Sequence, residues 1–255
     1  MIFYLLFIPV TILSFVWSLA YGSTELWLAT LFFTTLYSGY GIVVGYHRLH
    51  SHKSFKTWEP IRKFLLYLGC QGAQGSPVTW SLIHNRSHHA HTDTDKDVHT
   101  PTKGLWYAFA GWIFHKENHT FAQQEIFKVK KILDPYSIWC HRNYYFLVIL
   151  NLVIIGLMTI WWHDGRYLLA SLNASYLSLV ISGIVNVFGH TPIKGLTYAT
   201  TPMKNNSTNN PWLALFTWGE SLHNNHHAKP RRLNFNTKWY ELDVGRWLIS
   251  TVKKS

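Results

Sequence analysis

Charge is scarce in this chain and cysteine nearly absent. Of 255 residues only 14% are Asp, Glu, Lys or Arg, well below the ~25% usual for soluble domains. Two cysteines, Cys70 and Cys140, exclude a disulfide-built secreted scaffold and read as reduced, packed thiols. Internal repeats and low-complexity linkers are also missing. Disorder is excluded by what is abundant, since 48% of the residues are hydrophobic and 16% aromatic and this surface must be buried.

The mean hydropathy of +0.01 hides a strong segregation. Residues 1–24, 26–46, 143–162 and 167–189 carry no charged side chain. Each run has about the ~20 residues an α-helix needs to cross ~30 Å of hydrocarbon, where an unpaired backbone is too costly. The first run lacks a basic flank and a cleavage site, so it reads as a span and not a signal peptide. A fifth run, 64–83, carries Gln71, Gln74, Pro77 and four small residues, and is expected to pack against protein or dip part way into the membrane. The expectation is an all-α membrane protein forming one domain over 1–255. Four transmembrane helices in two hairpins, about 2–46 and 143–189, lie under a cytosolic helical cap of about 47–142 and 190–255.

Of the 23 basic residues, 13 fall in the first polar stretch, 9 in the second and one, Arg166, in the turns joining the spans. The positive-inside rule then puts both polar stretches and both termini in the cytoplasm. A bacterial inner membrane is expected rather than the endoplasmic reticulum. The net charge of +11 fits contact with anionic membrane lipids. Nucleic acid is not expected, because no binding motif for it is present.

The unusual abundance is histidine: 16 residues, most of them clustered. The clusters read HRLHSH (47–52), HNRSHHAH (84–91) and HNNHH (223–227), with His190 just beyond the fourth span. Neutral imidazole is the commonest metal ligand near neutral pH. Helical spacing puts His223, His226 and His227 on one face, and likewise His84 with His88 and Asn186 with His190. A structural zinc site needs four ligands and usually takes cysteine. The supply here suffices for two metals with open positions, which points to redox chemistry with iron. Glu-x-x-His occurs only at 220–223 among six glutamates, so a carboxylate-bridged di-iron bundle is not expected. The fold class is therefore completed by a histidine-ligated di-metal site in the cap. His115, His119, His141 and His163 receive no metal role. Asp93–Asp97 does not make a calcium loop, because Val98 and Gly104 stand where Gly and Glu are required.

With these motifs in order, the chain resembles the membrane fatty acid desaturases of the stearoyl-CoA/acyl-lipid Δ9 type. Flanking text agrees: GYHRLHSHKS, HTDTDKDVHTP (91–101), GLWYAFAGWIF (104–114), NVFGH (186–190), GESLHNNHHAKP (219–230) and WYELD (239–243). The likeness runs from about residue 26 to 247. It implies a di-iron centre ligated by His47, His52, His84, His88, His89, His190, His223, His226 and His227, with Asn186 reaching a metal through water. Arg48, His50 and His91 fall at non-ligand positions. In the second box, counting back from His88-His89 puts Asn85 at the first ligand position. Counting forward from Trp80 selects His84, the reading adopted here, which requires a one-residue bulge in the helix. Asp97, His99, Glu220 and Asp243 are candidates for orienting the ligands.

The resemblance also implies O2 as co-substrate and a fatty acyl chain carried on CoA, acyl carrier protein or a lipid. No room is left for a fused redox domain, so electrons are expected from ferredoxin or cytochrome b5. Tyr37, Gly41, Trp80 and Trp106 are candidates for the wall of an acyl tunnel. Two alternatives stay open: a related histidine-box hydroxylase, and a membrane metal- or haem-binding protein without catalysis.

Overall fold

The structure, a computed structural model, describes residues 2–129 and 133–254. Four of its helices are long and apolar enough to cross a membrane. They are α1 (Ile2–Tyr21), α2 (Thr24–Ser51), α8 (Tyr144–Trp161) and α9 (Arg166–Phe188). Between the hairpins lie α3 (Glu59–Gln71), α4 (Pro77–Leu82), α5 (Leu105–Phe109), α6 (Lys116–Val129) and α7 (Pro135–Arg142). After α9 come α10 (His223–Ala228) and α11 (Val244–Ser250).

Large apolar side chains of the spans stand exposed, among them Leu6, Leu13, Leu19, Phe32, Ile149 and Leu157. Such a belt is untenable in water and natural against lipid tails. Inside the bundle the helices meet through small polar groups. The Asn173 amide of α9 donates to Ser18 at 2.8 Å and accepts from Ser14 at 2.8 Å, both on α1. Tyr37 of α2 pairs with Ser171 at 3.0 Å and accepts from Asn151 of α8 at 3.0 Å. Bonds of this kind between membrane helices contribute roughly 0.6–2 kcal/mol each.

The run 64–83 packs on protein, as one of its two readings expected: it divides into the end of α3, a turn at Gly75 (φ +89°) and α4. A Cβ on Gly41 would lie 2.5 Å from the backbone nitrogen of Gly69. Glycine at 41 thus lets α2 and α3 touch backbone to backbone, and a core of Tyr46, Leu66, Cys70, Tyr144 and Leu147 closes beside it.

The second half of α2 is not a regular α-helix. Thr35–Ser51 is wound as a wider π-helix, and so is Ile83–His88 directly after α4. Widened turns of this kind favour functional sites. Here both carry histidines.

Candidate metal centre

Wide winding explains the spacing of the first two boxes. In a π-turn the backbone bond runs from residue i+5 to i, so side chains five apart share a face. His52 N donates to His47 O at 3.1 Å, and the His89 N–H bonds His84 O in the same way. His47 and His52 therefore point together, as do His84 and His89. Asn85 turns away, its amide donating to Ser51 O and Ser81 Oγ at 3.3 Å. The pairing of His84 with His88 expected from α-helical spacing gives way to His84 with His89, because of the extra residue in the turn. In α10 regular winding holds: His223 and His227, four apart, face one way and His226 another.

The result is two cages. His47, His52, His84, His89 and His226 bring one nitrogen each to within 4.8 Å of one another, and His88, His190, His223 and His227 do the same. The cages abut, the His89 and His227 ring centres being 4.4 Å apart. All nine rings are buried except His89, which is half-buried. Three boxes and His190, distant in sequence, thus converge.

Hydrogen bonds on the far side of the rings fix which nitrogen carries the proton. His47 Nδ1 meets Glu220 Oε2 at 2.5 Å, His88 Nδ1 meets Asp97 Oδ2 at 3.0 Å and His190 Nδ1 meets Asp93 Oδ2 at 3.3 Å. His223 Nδ1 donates to the Glu220 carbonyl at 3.1 Å. Carboxylate and carbonyl oxygens accept only, so the Nδ1 atoms hold the hydrogens and the Nε2 atoms present lone pairs. Within the second cage three lone pairs face inward and only His227 has a proton to offer. His190 Nε2 is buried with no partner. Nitrogen pairs such as His88–His227 at 3.0 Å and His227–His223 at 3.1 Å cannot all be hydrogen bonds. Lone pairs brought together this way call for a cation among them.

The donor set bears on the kind of ion. Nε2–Nε2 distances in the first cage are 2.8 Å (His52–His84), 3.0 Å (His84–His89 and His89–His226) and 3.1 Å (His47–His226). Five imidazoles in this cage exceed the four ligands that structural zinc takes.

Burial sets the charge state. It drives His84, His89, His190, His223, His226 and His227 below the ordinary imidazole range, with repulsion among the rings adding to it for most, and lowers His52 to about 2. Neutral rings are the metal-binding form. In the unfolded chain these groups titrate near ~6.5, so between that value and their depressed ones the unfolded state binds more protons. Stability is then complete above pH ~6.5 and declines as the pH falls below it. Metal-free protein in detergent should melt at a lower temperature at pH 5.5 than at pH 7.5, as read by thermal unfolding.

The outer partners are themselves anchored. Burial works against ionisation of Glu220, but the neighbouring His47 ring and the Arg48 guanidinium outweigh it and hold the carboxyl below its usual range. Burial likewise opposes the Asp97 charge, which His88 and His99 restore. His99 is pushed down to about 3 by burial and sits 4.5 Å from the His88 ring. Asp243 touches no histidine; it holds Arg48, which in turn holds Glu220. Asp93 is the partner that sequence reasoning missed. Its neighbour His190 lies 97 residues away, and nothing local signals the contact. Asp93→Asn and Asp97→Asn should each weaken metal binding roughly 10–100-fold, chiefly at the second cage, a change that metal titration would detect.

An apolar cavity opens beside the cages, lined by Ile42, Val43, Ile83, Trp112, Ile181 and Val185 together with His47, His84, His88 and His223. A second cavity, reaching Tyr4, Phe109 and His119, shares Gln74, Ile83, Trp112, Ser182 and Asn186 with the first. Asn186 thus lines both, its amide donating to Ala108 O at 3.1 Å. Of the four residues expected in a tunnel wall only Trp80 lines this space. Tyr37 is spent on Ser171 and Asn151, Gly41 is pressed against Gly69, and Trp106 is 70% exposed.

A bundle of membrane-length helices that holds two histidine cages beside an apolar cavity has the build of a multi-pass membrane protein able to coordinate metal. Residues 3–249 match the family described as "Fatty acid desaturase", and the chain belongs to that family. It is similar to the hex-5-enoyl-[acyl-carrier protein] acetylenase of Moorena producens, 30% identical over 96% of this chain and 79% of that protein. It is also similar to a probable acyl-CoA desaturase of Schizosaccharomyces pombe, 32% identical over 89% of this chain and 48% of that one. With the sn-1 stearoyl-lipid 9-desaturase of Anabaena variabilis it shares 29% identity over 81% of this chain and 72% of that one. The chain spans about half the length of the yeast relative.

Proposed function

We propose that the protein is an O2-dependent desaturase that places a cis double bond, at the Δ9 position, in a fatty acyl chain. The observation that carries this reading is the pair of cages whose inward lone pairs adjoin an apolar cavity of acyl character. His47, His52, His84, His89 and His226 would hold one iron, and His88, His190, His223 and His227 the other, with Asn186 acting through water. When bound, the iron pair supplies the O2-derived oxidising power that removal of unactivated hydrogens requires and that acid–base groups lack.

The chain's own residues do the positioning. Glu220, Asp97 and Asp93 hold three ring tautomers in the ligating form, and Arg48 with Asp243 holds Glu220. Ile42, Val43, Trp112, Ile181 and Val185 exclude water and keep the acyl chain against the cages, so that one C–H pair is presented repeatedly. His99 lies beside His88 as a further orienting group.

Histidines at the C-terminal end of α2 and just beyond α9 meet in one site, which supports placing those ends on one side of the membrane. The distribution of basic residues supports a cytoplasmic side for them and for both termini, with spans and cap acting as one domain. Electrons would arrive from ferredoxin or cytochrome b5. The acyl carrier differs among the relatives, and CoA, acyl carrier protein and glycerolipid all remain candidates here. The likeness to an acetylenase favours a second reading, oxidation of an existing double bond to a triple bond.

Expression in a host that lacks unsaturated fatty acids, followed by chromatography with location of the new bond, separates these outcomes. A cis Δ9 alkene is expected. An alkyne identifies the second reading, a hydroxy acid a hydroxylase, and no product with iron and donor present contradicts catalysis.

A further inference from the structure

Two thiols lie in the core, and the chemistry above uses neither. Cys70 of α3 and Cys140 of α7 are fully buried and belong to one apolar cluster. A chain of oxidisable side chains joins them to the cages. Tyr46 Oη lies 3.2 Å from Cys70 Sγ. The Tyr46 ring is 6.1 Å from that of Trp80, which stacks on His84 at 4.7 Å and lies 5.7 Å from His47. Beyond the thiols, Tyr136 packs against the same cluster and stacks at 5.6 Å on the exposed Trp139. Core packing alone would be served by Phe, Leu and Ala at these places. Instead every position from His84 to Cys140 carries a group that can give up an electron.

We propose that the Cys70–Cys140 dithiol is an internal two-electron sink, wired through Tyr46 and Trp80, for the O2-derived oxidant at the metal pair when no acyl C–H bond is in place. The inference rests on the desaturase reading. In the step, two S–H bonds break and one S–S bond forms. Each thiol releases one electron and one proton, Tyr46 and Trp80 relay the electrons and end unchanged, and the oxidant takes up two electrons and two protons as water. Neighbouring imidazoles are thereby spared oxidation. Because both sulfurs are buried, oxidants in solution reach them poorly, and the disulfide reports on the internal route.

The test uses iron-loaded protein in detergent, reduced with dithionite under anaerobic conditions, freed of reductant and exposed to O2 without acyl substrate. Denaturation in N-ethylmaleimide and non-reducing peptide mass spectrometry then quantify the Cys70–Cys140 link. Parallel samples receive saturated acyl chains on CoA, acyl carrier protein and glycerolipid. The expected result is a disulfide several-fold more abundant than in metal-free protein, suppressed by whichever substrate yields product, and lost in Tyr46→Phe. Should Tyr46→Phe fail to fold, Cys140→Ser serves: its product yield with substrate should match the parent, while substrate-free cycles inactivate it faster. Product with substrate but no disulfide without it overturns the sink and leaves desaturation standing. Equal disulfide in metal-free protein also overturns it. Absence of product on every carrier overturns both readings.

Discussion

Replacing His226 by alanine is expected to empty the first cage and take product below detection. The His226 ring is wholly buried, and its Nε2 stands 3.1 Å from that of His47 and 3.0 Å from that of His89. Its loss removes a donor from the middle of the set and leaves the remaining lone pairs without a completed shell. Loss of an outer partner already costs roughly 10–100-fold in metal affinity or activity, and loss of a ligand should cost more. The change lies in α10, outside the spans, so membrane insertion should be unaffected. His227→Ala should act alike through the second cage. Metal analysis alongside fatty-acid chromatography checks both, and unchanged product would remove these residues from the site.

Replacing Arg48 by alanine is expected to give the largest loss of stability. Arg48 has no exposed surface. Its Nε and Nη2 donate to Glu220 Oε1 at 3.1 and 2.9 Å, and its Nη1 and Nη2 to Asp243 at 2.9 and 2.8 Å. The guanidinium also lies 3.8 Å over the Phe235 ring. Without it two buried carboxylates face each other uncompensated, and breaking a buried ionic group in this way costs about 3–5 kcal/mol. Lysine cannot reproduce the forked donors, so Arg48→Lys should also be impaired. Since Glu220 orients His47, metal content should fall with the melting temperature in detergent. An unchanged melting temperature would contradict this account of the network.

The gross architecture was legible because lipid leaves few choices: charge-free runs of membrane length must be helices, and the four helices lie where those runs are. The residues of the cages were legible because imidazole clusters at helix-compatible spacing are rare by chance. How they divide was not. Sequence spacing treated His223, His226 and His227 as one face and paired His84 with His88. The structure sends His226 and His84 to one cage and His223, His227 and His88 to the other, since a π-turn shifts the phase of the second box. The forward count from Trp80 to His84 was the one signal of that shift. Asp93 and the linkage of Arg48 to Asp243 could not be read, because both are contacts between segments far apart in the chain. Three of the four tunnel candidates lie away from the cavity for a related reason: apolar and small residues serve helix packing as readily as a cavity wall, and periodicity does not tell the two apart.

Each of the two cages is expected to hold one iron ion. Metal analysis of protein purified from its host membrane, read together with its visible spectrum, tests it directly. Two iron ions per chain with no Soret band is the predicted result. Iron absent from the purified protein, a single zinc in its place, or a haem spectrum would contradict it.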